Sequence, residues 1–110
     1  MTQGPVSDQL FHILLSLVDR PRHGYGIIQD VEARTAGAVH LGAGTLYSAI
    51  KRIRSWGWVE EVPAPKGGDP RRRYYVLTEE GRRVVRREAQ RLEELVRYAR
   101  AKRVLKGRAV

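Results

Sequence analysis

Apolar residues along this chain gather in several clusters, and the spacing inside each cluster predicts an element. Leu10, Phe11, Ile13, Leu14, Leu15, Leu17 and Val18 crowd so closely that a helix there is apolar around much of its circumference. Pro5 and Ser7 mark its start, with Ser7 as the N-cap. Pro21 ends it, because proline cannot continue a helix and biases Arg20 away from the helical region. A second stripe, Ile27, Ile28 and Val31, has helical spacing and closes near Thr35 and Gly37. His23, Gly24, Tyr25 and Gly26 precede it; His23 reads as a capping or packing residue rather than a ligand.

Residues 42–58 carry the most informative pattern. Leu46, Ile50 and Ile53 recur at spacings of four and three, with Ala49 on the same side. That is the apolar stripe of an amphipathic helix. The opposite face reads Thr45, Tyr47, Ser48, Lys51 and Arg52: hydroxyls, one ring and two cations. Such a face suits the major groove of DNA. An ordinary solvated surface helix carries the same residue types, so this stretch alone leaves both readings open.

After Gly57 the period shortens. Residues 58–62 are strand-like, 63–70 are rich in proline and glycine, and 74–77 form a second strand-like run. The pair predicts a β-hairpin with a mobile tip holding Lys66 and flanked by Arg71, Arg72 and Arg73. Three helices followed by a basic hairpin give a mainly α fold with a small β-hairpin, the winged helix-turn-helix plan. Thr78 then caps a long helix with Glu79 and Glu80 in its first turn, where acidic groups complement the helix dipole. Val85, Ala89, Leu92, Val96 and Ala99 follow at spacings of 4, 3, 4 and 3. So short a heptad-like seam must pack on something. Leu10 and Leu14 of the first helix are the expected partners, in a dimerisation layer; packing within the domain's own core is the alternative. The chain thus divides into a winged helix over 1–78 and a dimerisation helix with a basic tail, fraying from Arg100, over 79–110.

At 110 residues the chain has the length of one domain. It contains no cysteine, which excludes disulfides and thiolate chemistry. No apolar run approaches the ~18 residues of a membrane span, and the expected location is the cytoplasm. His12, His23 and His40 are scattered without an acidic cluster, and no nucleophile–base pair, metal-ligand spacing or phosphate loop is present. An enzyme, a cofactor and a metal are therefore not expected. Net charge is +9, and its excess lies in the second half. Residues 1–41 hold three cations and four anions, whereas 79–110 hold eleven cations and five anions. Such a surface attracts polyanions. Charge alone does not separate a sequence-specific regulator from a sequence-indifferent nucleoid or RNA-associated protein, nor from a protein-interaction module.

Three blocks narrow the choice. H-G-Y-G-I-I from position 23, G-T-L-Y-x-x-I-K-R-I from 44 and R-R-x-Y-Y-x-L-T-E-x-G from 71 resemble the PadR-type transcriptional regulators, in the right order, over about residues 8–100. With one long C-terminal helix and no further domain, the chain is similar to the short subfamily. The resemblance implies a homodimer on a pseudo-palindromic operator of double-stranded DNA, usually a repressor. By motif position it assigns Thr45, Tyr47, Ser48, Lys51 and Arg52 to the recognition helix, and Lys66, Arg71, Arg72 and Arg73 to the wing. Many members have proline where Ser48 stands here, so base preference is not transferable. Some short members stack flat drugs against a tryptophan of the C-terminal helix; the corresponding position here is Leu92. A small apolar effector would then need an aliphatic pocket among Leu10, Leu14 and Leu92, residues that serve equally as interface core.

Overall fold

In the computed structural model, which describes residues 6–105, helix α1 (Asp8–Ser16) begins where Ser7 Oγ accepts the Leu10 amide at 3.2 Å. Pro5 lies outside the described residues. The helix ends at Ser16, ahead of the expected stop at Pro21. Two guanidinium groups take up carbonyls of its last turns. Arg22 Nε donates to Ser16 O at 2.7 Å, and Arg34 Nη2 donates to His12 O at 3.0 Å. Asp30 holds both cations, at 3.5 Å from Arg22 and 2.9 Å from Arg34. Burial would raise the Asp30 carboxyl, but hydrogen bonds from Arg34 and Ser16 and the two positive charges outweigh it and hold it below the usual range. These arginines are engaged in tying α1 to its neighbours.

A two-residue strand, β1 (Arg22–His23), leads directly into α2 (Gly24–Arg34), then α3 (Ala43–Ser55), β2 (Val59–Val62), β3 (Tyr74–Leu77) and α4 (Glu79–Ala101). The expected hairpin is therefore part of an antiparallel sheet of order β1-β3-β2. Arg22 pairs with Tyr75 and His23 with Tyr74, while Val59 pairs with Leu77 and Val62 with Tyr74. A strand of two polar residues offers no alternation to detect.

The core lies where α1, α2, α3 and the sheet meet. Ile13, Leu14, Leu17, Ile27, Val31, Leu41, Leu46 and Ile53 are almost wholly buried there. At the end of α3, the Trp58 amide bonds Ile53 O at 2.9 Å across Gly57. That left-handed cap turns the chain into β2 and carries Trp58 into the core.

Thr78 Oγ1 accepts the Gly81 amide at 3.0 Å and starts α4. Only Gly81, Val84 and Glu88 of this helix are buried. Glu88 takes two bonds from Arg91, at 2.6 and 3.2 Å, and one from the Val6 backbone. The helix stays regular past Arg100 to Ala101, where the Val104 amide closes it on Ala99 O at 3.0 Å; Lys106 and Arg108 of the basic tail lie outside the described residues.

One expectation meets a different arrangement. Leu10 and Leu14 are 6% and 0% exposed within the subunit itself, so they belong to its own core and not to an open dimer layer. Their helix is too short and too closely enclosed by α2 and α4 to show those positions outward.

Candidate nucleic-acid interface

Helix α3 buries Leu46, Ala49, Ile50 and Ile53. A period of 3.6 residues then sets Gly44, Ser48, Lys51 and Ser55 along the opposite midline. Tyr47 and Arg54 fall on one flank, Thr45 and Arg52 on the other. All eight are exposed. Arg52 stacks on Trp56 at 6.0 Å, which draws it toward the helix end.

The Tyr47 flank faces the wing. Tyr47, Lys51, Arg54 and Ser55 line a groove of about 390 Å³ floored by Ile50 and Tyr75. A second hollow of about 420 Å³ shares Tyr47 and Tyr75 and is bounded by His23, Arg71, Arg72 and Arg73. Together they form an open channel between helix and wing, edged by five cations, Lys51, Arg54, Arg71, Arg72 and Arg73. Burial first, and Glu61 second, push the Tyr75 phenol upward, so it stays neutral on the channel floor. Tyr47 is aimed by a close approach: a Cβ on Gly24 would stand 2.6 Å from Tyr47 Cζ. Any larger residue at position 24 would push the ring off the start of α2.

The wing loop is tied rather than loose. The Gly68 amide bonds Pro65 O at 2.8 Å, the Asp69 amide bonds Tyr74 Oη at 2.9 Å, and the Arg72 amide bonds Asp69 O at 3.0 Å. The arginines expected to act alike differ. Arg71 grips Asp69 through Nε at 3.1 Å and Nη2 at 3.3 Å, and these bonds hold the Asp69 carboxyl below its usual range. Arg72 shares Asp69 at 3.6 Å. Lys51, Lys66 and Arg73 have no carboxylate partner among the described residues. Arg54, absent from the sequence expectation, lines the groove while pairing with Glu61 at 3.6 Å. Its spacing of seven from Tyr47 was the available signal.

His23 joins α2 to the wing. Its Nδ1 accepts the Gly26 amide at 2.9 Å, and its ring meets Tyr74 edge-on at 5.2 Å. Capping requires a free lone pair on Nδ1. Burial, then the Arg72 charge, hold the imidazole below its usual value against the opposing pull of Asp69. A depressed folded-state value stabilises the fold above the unfolded value of about 6.5, and that contribution is lost as pH falls through the folded value. We expect the wild type to lose thermal stability between about pH 7.5 and pH 5.5. His23→Asn, which can cap without titrating, should lose less over that window. Equal losses in the two proteins would remove His23 as the cause.

No helix among the described residues is long and apolar enough to cross a membrane, and no group of His, Asp or Glu there could hold a metal ion. Among relatives, a 37.1 kDa protein in transposon TN4556 of Streptomyces fradiae is 32% identical over 89 residues, 81% of this chain. The chain spans only 24% of that protein's length. Two solved structures share the fold. A transcriptional regulator from Clostridium thermocellum has a TM-score of 0.71 at 22% identity, covering 87% of this chain and 96% of that one. A PadR family transcription regulator from hypervirulent Clostridium difficile has a TM-score of 0.71 at 24% identity, covering 86% and 97%. The sequence model of the transcriptional regulator PadR-like family matches residues 13–87, from α1 through the wing into α4. With the three motif blocks seated on the α2 start, on α3 and on the wing, the chain belongs to the PadR-like family of transcriptional regulators.

Proposed function

We propose that this member is a sequence-specific repressor that binds a pseudo-palindromic operator as a homodimer. The observation that carries the reading is the channel: the exposed polar face of α3 runs directly into a cationic wing. In a duplex complex, α3 enters the major groove while a phosphate strand crosses the channel. Wing cations supply affinity that does not depend on sequence. Ser48, Lys51 and Tyr47 supply discrimination.

The dimer is supported by α4. Past Glu88 it leaves its own core, and Leu92, Leu95, Val96 and Ala99 are half-buried or exposed. We assign α4 past Glu88 to the contact with a second copy; reading successive major grooves then requires the two α3 helices to stand about 34–36 Å apart. Repression follows by occluding a promoter. A small apolar effector would have to lodge between subunits against Leu92 and Val96, and would act only through unequal affinity for two dimer geometries.

The test is competition, at matched salt, between the duplex upstream of the protein's own gene and a random duplex. Strong preference for the first supports the reading; equal affinity favours a sequence-indifferent nucleic-acid binder. Lys51→Ala should cost about 1–3 kcal/mol on the preferred duplex and less on the random one. Lys66→Ala or Arg73→Ala should weaken both equally, and the slope of log K against log salt should fall by about one. An unchanged slope takes that residue off the phosphates.

A further inference from the structure

Arg72 is held by more of the protein than the other wing cations are. Its guanidinium carbon lies 5.7 Å from the centre of the Tyr25 ring, its Nη1 is 3.4 Å from His23 Nδ1, and its Nε is 3.6 Å from Asp69. Two of these partners stand at the start of α2, and Asp69 belongs to the wing loop. Among the described residues, Arg71 by contrast has its hydrogen bonds and ion pair with Asp69, and its side chain is 88% exposed. Tyr25 is 52% exposed, in the first turn of α2, and is not one of the buried core residues. What it does contact is Arg72.

We propose that Tyr25 is a positioning residue for DNA binding: its ring holds the Arg72 guanidinium at the edge of the channel, in the orientation a phosphate of the duplex takes. The inference rests on the DNA-binding reading above. A free arginine side chain loses rotamer freedom when it binds a phosphate, and confinement beforehand removes that cost. The ring attracts the guanidinium through its π face and takes none of its N–H donors, which leaves them for a two-pronged phosphate contact. Asp69 is bonded at 3.1 and 3.3 Å by Arg71, while Arg72 stands off at 3.6 Å, outside hydrogen-bond distance, so the Arg72 donors remain available. His23 Nδ1, 3.4 Å from Arg72 Nη1, already accepts the Gly26 amide and is no anchor for it.

The experiment uses the full chain and a random duplex of about 30 base pairs, roughly three helical turns, at low salt. Tyr25→Leu should lower affinity about two- to fivefold, the range expected for an exposed cation–π contact. Tyr25→Phe, which keeps the ring, should bind as the wild type does. Arg72→Lys, which keeps the charge but stacks poorly, should resemble Tyr25→Leu. In an Arg72→Ala background, Tyr25→Leu should add no further loss. An equal loss in Tyr25→Phe and Tyr25→Leu would mean that the hydroxyl touches DNA itself, and the proposal fails. Losses that add independently of Arg72, or no loss in Tyr25→Leu, also overturn it. If the wild type binds no duplex at all, the DNA-binding reading falls first. If it binds and Arg72→Ala changes nothing, only this inference falls.

Discussion

Gly81→Ala is expected to destabilise the fold by about 2 kcal/mol, although the same exchange inside a helix normally stabilises by about 1 kcal/mol. The reason is distance. Gly81 sits in the first turn of α4, and a Cβ there would run into Trp58 O and stand 3.0 Å from the Trp58 carbonyl carbon. That carbonyl is rigid backbone which already accepts the Thr78 amide at 3.0 Å, so it has nowhere to turn. Either α4 shifts outward or the turn between α3 and β2 opens, and both moves disturb the packing of Val84, Leu77 and Trp58. Gly44→Ala is the internal control: nothing stands within 4 Å of its would-be Cβ, and it lies inside α3. It should raise stability by about 0.5 kcal/mol. Denaturant unfolding of the two variants should therefore give opposite signs. A stabilised Gly81→Ala protein would mean that α4 does not approach β2 so closely.

This glycine also marks what the chain order could and could not reveal. The T-E-x-G block was visible in the sequence, but its reason was not, because the clash involves a carbonyl 23 positions earlier. Elements governed by their own period were legible: the stripe of Leu46, Ala49, Ile50 and Ile53 is buried as spaced, Ser7 and Thr78 cap as expected, and the two strands after Gly57 form. Features set by distant partners were not. Strand β1 exists only because β3 offers an edge to Arg22 and His23. Leu14 looked available to a partner because an all-round apolar helix does not say which neighbour covers which side; its own domain covers it completely. The wing shows the same limit. Three consecutive arginines look equivalent in sequence, yet one turn of loop gives Asp69 to Arg71, and the fold gives Tyr25 to Arg72.

Leu92→Glu combined with Val96→Glu is expected to yield a folded monomer whose affinity for the preferred promoter duplex is about 100-fold lower or worse. Both side chains lie past Glu88, where α4 has left its own core; Val96 is 43% exposed and its neighbour Leu95 53%. Replacing them removes little packing within the subunit, so the melting of a single chain should change little. In the proposed dimer the same positions form the seam with Ala89 and Ala99, Val85 being packed on its own core, and carboxylates meeting there would be desolvated and mutually repelling. Loss of pairing costs DNA binding through geometry rather than contact. Each winged helix keeps its channel, but the second half-site is no longer delivered at the high effective concentration that a tethered partner provides. Binding to random DNA should fall less, with a salt slope about half that of the wild type, since half as many phosphates are neutralised per bound unit. Light scattering reports the mass, and titration of the two duplexes reports the affinities. A variant that stays dimeric with full affinity would move the subunit contact away from this face of α4. A wild type that is already monomeric would remove the paired arrangement on which the proposed spacing depends.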